Sequence, residues 1–547
     1  MDKKLLKPEK VILFAIGLIS LITTPFISYD AVVLPRFVFL VIFGSILFMN
    51  ILRQMPFKIF GQYKIFAIIS VGFIFWSLLS LLASEINSPN IFFGISGRFN
   101  GVLTYLSLIV FMGVAILVSR KEFNNALLEL LAITGFISAI YGTLQYQGLD
   151  PFSWINEYSP VFGFFGNPNF FASYLGISAT ASVALVFRKN VKNIYQIIWM
   201  INIPLSLFII SKSKSQQGFL VFAAGVSVVI FLWVLGTHKL SRFVIPYLTI
   251  VFVGLISAII DMLQKSPWQT LLYKESVSYR GDFWRAGWAM TLDNPFFGVG
   301  LGGYGDYFRL YRDTVSANRI EISSNVDSAH NILLDISSGG GFPLLALYLC
   351  LIFMTLISAA KIIARQKSFD ATFAGILGAW IAYSAQSLIS VNQISVSIWG
   401  WVLSGAIIGY EYYGKNDSTL NLEKKNILKL PPSIIGLIVS LFIVIPFIIV
   451  DTQFRATVGS GNVNQIMNAV SKWPQSIERL NFVTALFRQG GFPDQSLIVA
   501  REAIKFNPRS YEAWEQLFLS QNVTEEERNI AITMMQNLDP LNPRFAK

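Results

Sequence analysis

The chain has 547 residues, 54% of them hydrophobic and only 13% charged, with a mean hydropathy of +0.57. Soluble domains carry about 25% charged residues, so the composition excludes an ordinary soluble enzyme and points to a polytopic membrane protein. The net charge is +11, and the single cysteine, Cys350, excludes an internal disulfide and a Cys-based metal site.

Apolar runs near 20 residues long recur between residues 11 and 450, and each can cross a hydrocarbon core of about 30 Å. They predict an all-α bundle of about 13 transmembrane helices, centred near residues 20, 43, 73, 110, 134, 178, 202, 227, 252, 352, 380, 404 and 441. The first run reads as a span, because apolar spans keep following it and no small-residue cleavage site stands out. Basic residues then set the orientation. Lys3, Lys4, Lys7 and Lys10 precede the first span, Arg53, Lys58 and Lys64 follow the second, and Arg120 and Lys121 follow the fourth. The sixth, eighth, tenth and twelfth end the same way, beside Arg188, Lys239, Lys361 and Lys415. This alternation places the N-terminus in the cytoplasm. It also accounts for most of the positive charge, so no nucleic-acid partner is inferred.

The same count sets segments 84–100, 145–169, 211–217 and 263–329 on the outer side, and the tail 451–547 with them. Taken in order, they hold the candidate site. "GISGRFNG" carries Arg98, a cation in a short outer segment that the positive-inside pattern does not explain. "GFFGNPNFFASYL" carries Asn167 and Asn169. Asn-Pro-Asn is a helix-start signal, and two amides at a membrane mouth also suit sugar hydroxyls. "SKSKSQQGF" carries Lys212 and Lys214. Cations beside glycine-rich turns at one face suit a phosphorylated ligand; solvated or headgroup contacts are the alternative.

In the long loop, "SYRGDFWRAGWAMTLDNPFFGVGLGGY" sets Arg280, Trp284 and Trp288 on one helical stripe, ended by Asn294-Pro295. The stripe suits a membrane interface, with Arg280 aimed at a phosphate or headgroup, or a plain amphipathic anchor. "SNVDSAHNILLDISSGGGF" then brings Asp327, His330 and Asn331, with His330 one of two histidines in the chain. The other, His238, lies in a basic inner loop and receives no role. The tail is polar and helical in pattern, with Pro474, Pro508 and Pro540 roughly 32 to 34 residues apart, a period that matches tetratricopeptide-type repeats. It reads as a helical-repeat extension for acceptor or partner choice, or as a small helical cap.

Together these motifs, with "YGTLQYQGLDP" before them, resemble the O-antigen ligase and polymerase superfamily of bacterial membrane glycosyltransferases over about residues 60–412. The resemblance implies a GT-C-like helical fold at 1–450 in the cytoplasmic membrane. It implies a polyprenyl-diphosphate-linked glycan donor used at the outer face, and a glycolipid, growing glycan or protein as acceptor. It implies no cofactor and no metal. By motif, Arg280 is the arginine before the Trp-containing helix, and His330 is the histidine opening "HN". Many members carry an arginine in "SRG" where this chain has "SKSKSQQGF", so Lys212 or Lys214 is expected to supply that charge.

The chemistry agrees. Negative charge grows on the leaving diphosphate, which needs cations, and no Asp-x-Asp stands in the chain to carry a metal. Arg280, Lys212, Lys214 and Arg98 are the candidate diphosphate ligands, and Asn167, Asn169, Trp284 and Asn331 the candidate sugar or acceptor contacts. The acceptor hydroxyl needs a base, and a neutral imidazole is available near pH 7. His330 takes that role, oriented by Asp327 from one helical turn away. A flippase of lipid-linked glycans and a repeat scaffold are the alternatives. The spans are nearly free of charge and the candidates gather on one face, which favours one-sided chemistry over alternating access.

Overall fold

The computed structural model describes residues 7–54, 57–84, 89–152, 154, 159–188, 192–237, 241–262, 275–319, 326–413 and 430–545. The first part of the long loop, 263–274, the segment 320–325 and His238 lie outside the described residues. Among the described residues the regular structure is helical throughout, with no strand. The order is α1 (Pro8–Leu21), α2 (Val33–Gln54), α3 (Phe57–Ala83), α4 (Pro89–Phe93), α5 (Val102–Val118), α6 (Lys121–Tyr146), α7 (Pro168–Val186), α8 (Asn193–Lys212), α9 (Gln217–Gly236) and α10 (Val244–Met262). Then come α11 (Glu275–Asp293), α12 (Tyr304–Tyr311), α13 (Thr314–Arg319), α14 (Ile332–Arg365), α15 (Ala371–Ser387), α16 (Ile394–Tyr413) and α17 (Leu430–Ser460). The tail holds α18 (Val463–Val470), α19 (Ile477–Gln489), α20 (Pro493–Phe506), α21 (Tyr511–Phe518) and α22 (Glu525–Leu538).

Nine of these helices, among the described residues, are long and apolar enough to cross a membrane: α2, α3, α6, α7, α8, α9, α14, α16 and α17. The remaining predicted centres fall on shorter apolar segments or at their ends. α5 and α15 have 17 residues each, a rise of about 26 Å. α1 stops at Leu21 because Ile22 is already extended and Pro25 forbids continuation.

α7 and α16 form the hub, with 83% and 94% of their apolar windows buried, against 22% for α3, which therefore faces lipid. Small residues allow this packing: a Cβ on Gly176 of α7 would meet the Gly218 carbonyl of α9 at 2.6 Å, so only glycine lets the two backbones approach. At one end of the bundle Arg36 of α2 is fully buried. It donates to Phe164 O at 2.6 Å and Ser395 Oγ at 3.2 Å, and lies 5.0 Å over the Phe165 ring. That arginine fixes the turn before α7.

The glycines after His330 also have a packing role. α14 breaks at Gly341, where φ is +71°, with Pro343 just beyond. The "FFGVG" turn after α11 lies against this break: Val299 N–H donates to Ser338 O at 2.7 Å, Gly300 N–H to Gly339 O at 3.0 Å and Phe342 N–H to Pro295 O at 2.8 Å. Trp76 Nε1 of α3 adds bonds of 3.0 Å to Phe296 O and Gly340 O. A side chain at Gly298 would come within 2.3 Å of Ser338 O. The glycine run therefore lets the long loop dock on the membrane helix through its backbone.

Candidate functional site

Three side-chain hydrogen bonds join segments far apart in sequence at the Arg36 end of the bundle. Arg98 Nε donates to Asp327 Oδ2 at 2.7 Å, Arg280 Nη2 to Gln217 Oε1 at 3.3 Å, and Ser215 Oγ to Asn169 Oδ1 at 2.7 Å. The four inter-helix segments that carry the sequence candidates therefore meet in one place.

His330 sits at the centre of an unusual turn. Its φ is +54°, in the left-handed region, where glycine costs less than any side-chain-bearing residue. The turn is built from both sides. Ser328 Oγ accepts from His330 N–H at 3.0 Å and donates to Asp335 Oδ2 at 2.8 Å. Asp335 Oδ1 accepts from Ala329 N–H at 2.7 Å, and Asn331 Oδ1 caps α14 through Leu333 N–H at 3.0 Å. Four hydrogen bonds thus hold a locally costly backbone in place. Only two other non-glycine residues among the described ones have positive φ, Phe99 and Lys214, and both stand in loops of the same site.

The imidazole lies against the Phe283 ring, centroids 5.5 Å apart. Burial lowers its pKa, Asp327 pulls it back up, and Arg280 and Arg98 push it down again, to about 4. His330 is therefore neutral at pH 7, with an open nitrogen lone pair. Burial raises the Asp327 carboxyl, but Arg98 beside it outweighs this and holds it below the ordinary carboxylate value. Asp327 makes its hydrogen bond to Arg98 and none to the imidazole among the described residues. Ser328 and Asp335 hold the backbone around His330, while Asp327 acts on the imidazole through its charge. Asp335 was missed in the sequence, where an acid in the first turn of a helix reads only as favourable to the helix dipole.

Arg280 stands on α11 as the Arg-Trp-Trp stripe predicts. It is half-buried, its pKa is lowered by that burial, and among the described residues it forms no ion pair. Its partner is the amide oxygen of Gln217, whose Nε2 is buried and has no hydrogen-bond partner among the described residues. Trp284, one turn along α11, likewise holds a buried Nε1 with no partner among the described residues. An uncompensated guanidinium and two unpaired N–H donors make a local surplus of positive charge and donors. Gln217 was another miss, because a neutral glutamine in "SKSKSQQGF" carried no charge signal beside its lysines.

The other candidates have different places. Lys212 lies 4.9 Å over the Tyr146 ring and 5.1 Å over Phe208, so its charge rests on exposed aromatic faces. Lys214 is exposed in the left-handed turn between α8 and α9. Asn167 caps α7 through Asn169 N–H at 2.8 Å, the helix-start role, while Asn169 holds Ser215 of the lysine turn. Trp288 is exposed and packs edge-on against Phe342, centroids 5.9 Å apart.

A cavity of about 290 Å³ opens among α5, α14, α15 and α16. Its lining is apolar apart from a few hydroxyls, with Leu333, Tyr348, Trp380 and Trp401 among the walls, and Ile332 and Leu333 place its edge two and three residues from His330.

Residues 201–349 match the family model described as O-antigen ligase. The chain carries an O-antigen ligase domain. The matched stretch of this ligase domain runs from within α8 to within α14 and holds Lys212, Lys214, Gln217, Arg280, Trp284, Asp327, His330 and Asn331; Arg98, Asn167 and Asn169 lie before it. Among curated proteins, no match to the chain is found.

Proposed function

We propose that this ligase-domain protein transfers a glycan from a polyprenyl-diphosphate donor to an acceptor hydroxyl at the extracytoplasmic face of the bacterial cytoplasmic membrane. The observation that carries this reading is the juxtaposition of a neutral imidazole in a strained, over-determined turn with an arginine that forms no ion pair among the described residues. Arg280, with Gln217 Nε2 and Trp284 Nε1, meets the donor diphosphate and stabilises the charge that grows on it as the glycosidic carbon–oxygen bond breaks. Lys214 adds charge from the neighbouring turn. His330 takes the proton of the acceptor hydroxyl as that oxygen bonds to the anomeric carbon. Arg98 and Asp327, paired to each other, lie near enough to His330 to act on its charge. The apolar cavity beside Leu333 suits the isoprenoid chain of the donor. In this reading the charge on the leaving diphosphate is met by Arg280, Gln217, Trp284 and Lys214.

The test is reconstitution of the purified protein with a polyprenyl-diphosphate glycan and candidate acceptors. Transfer releases polyprenyl diphosphate in step with a new glycoside; movement of the donor intact across the bilayer would replace this reading with a flippase. Thiol labelling of Lys214→Cys and Lys121→Cys in intact cells, in a Cys350→Ser background, tests the orientation. Only the first should react from outside.

A further inference from the structure

The sequence casts the tail as a module for acceptor or partner choice. Its contacts suggest more. We propose that the tail, residues 451–545, clamps the ligase loop in its working geometry, with Asp539 as the positioning residue; the proposal rests on the site reading above.

Asp539, just past α22, is completely buried. It accepts from Arg312 Nη2 at 2.7 Å and Nε at 3.1 Å, and from Arg309 Nη1 at 3.2 Å. Both arginines belong to the long loop, at and just after α12, and their side chains are 0% and 5% exposed. One carboxylate thus holds two desolvated guanidiniums, an arrangement sensitive to the loss of any member. Around it the two units exchange side chains. Arg309 of the loop lies 4.2 Å over Tyr511 of the tail, and Arg509 of the tail lies 3.8 Å over Tyr307 of the loop. Asn507 Nδ2 donates to Asp306 Oδ1 at 2.9 Å.

The tail also reaches the segment that carries Arg98. Trp473 packs on Phe93 and Phe447, with centroids 6.5 and 6.1 Å apart. Pro474, Ser476 and Arg479 line a small cavity with Gly94, Ser96 and Phe99, the segment that carries Arg98. Both segments joined by the Arg98–Asp327 pair are therefore held from the same side.

The route to His330 is short. Tyr304, Tyr307 and Phe308 of α12 share one small hydrophobic core with Val326, Ala329, Ala286 and Met290. Ala329 precedes His330, and Ala286 and Met290 lie on the helix of Arg280. This core is separate from the main bundle core, so the ligase loop lies partly outside the membrane scaffold and takes part of its rigidity from the tail.

The test compares full-length wild type, Asp539→Asn and Asp539→Glu in single-turnover transfer at saturating donor, with amide hydrogen exchange of residues 304–330. Asp539→Asn should slow transfer about 10- to 100-fold, the scale of an ångström-level misplacement. It should raise exchange in 304–330 and move the acid limb of the pH–rate profile up toward that of an ordinary histidine, as the loosened loop rehydrates His330. Asp539→Glu should recover part of the rate. Joining Asn507→Cys to Asp306→Cys as a disulfide with a mild oxidant, in the Asp539→Asn and Cys350→Ser background, should restore transfer. If Asp539→Asn does not fold, Arg509→Ala reads the same three quantities on a milder contact. Wild-type transfer with an unmoved limb in a folded variant overturns the proposal, and so does unchanged exchange. Exchange is read whatever the reaction is, so absence of transfer in wild type would sink the glycosyl-transfer reading while still deciding the clamp.

Discussion

Removing Arg280 should change both the rate and the pH profile of transfer, through different physics. Arg280→Ala removes a charge-assisted contact to the diphosphate, worth about 1.5–3 kcal/mol, so donor affinity and kcat/KM should fall by about one to two orders of magnitude. Arg280→Lys should recover only part, because an ammonium cannot hold phosphate bidentately. The same deletion removes a cation that helps push the His330 pKa down to about 4. One nearby charge is worth about one pKa unit, on the order of 1.4 kcal/mol. The sign follows directly: without the cation the imidazole protonates more easily, and its limb moves up. Wild type should therefore run flat between pH 6 and 8 and lose activity only as pH falls toward about 4 to 5. Arg280→Ala should place that limb higher. Asp327→Asn should move it the other way, since Asp327 raises the imidazole. His330→Ala should abolish the limb and slow transfer by about 10² to 10⁴ while donor binding stays near normal. The assay is single-turnover release of polyprenyl diphosphate across pH 4 to 9, paired with donor binding on the same preparations. Wild-type transfer by folded His330→Ala would refute the base assignment, and an unmoved limb in Arg280→Ala would refute the coupling of the two residues.

Other expectations follow from neighbouring contacts. Gln217→Glu would set a carboxylate against Arg280 and should weaken donor binding more than Gln217→Ala does; equal binding by the two would remove Gln217 from the diphosphate site. His330→Gly should relieve left-handed strain of about 1 kcal/mol, so thermal unfolding should show a melting temperature no lower than wild type although transfer is lost. Tail docking should weaken as pH rises from about 4 to 7. Burial pushes the Asp306 carboxyl up to about 6, against the opposing effects of Asn507 and Arg509 and with Glu512 adding repulsion. A carboxyl raised in the folded state contributes most below its unfolded value and loses that contribution as pH climbs through the folded one. Protease sensitivity of the tail should rise over that range, and Asp306→Asn should flatten the rise.

The sequence by itself determined the membrane class and the helix positions, because apolar period and length answer to the bilayer rather than to any partner. It also placed the Arg280–Trp284–Trp288 stripe on a helix ended by Asn294-Pro295, since i, i+4 spacing and proline act locally. Asn167 and Asn331 carried two readings, and their side-chain oxygens took the local one as helix caps. Contacts between distant segments needed the fold. Asp327 stands three residues from His330 in sequence, yet its hydrogen bond goes to Arg98, 229 positions away. Lys212 carried the charge signal but its ammonium rests on Tyr146 and Phe208, while uncharged Gln217 reaches Arg280. Asp539 in the tail gave no hint of Arg309 and Arg312, because one acid among many becomes a clamp only when folding brings two guanidiniums to it and removes the water.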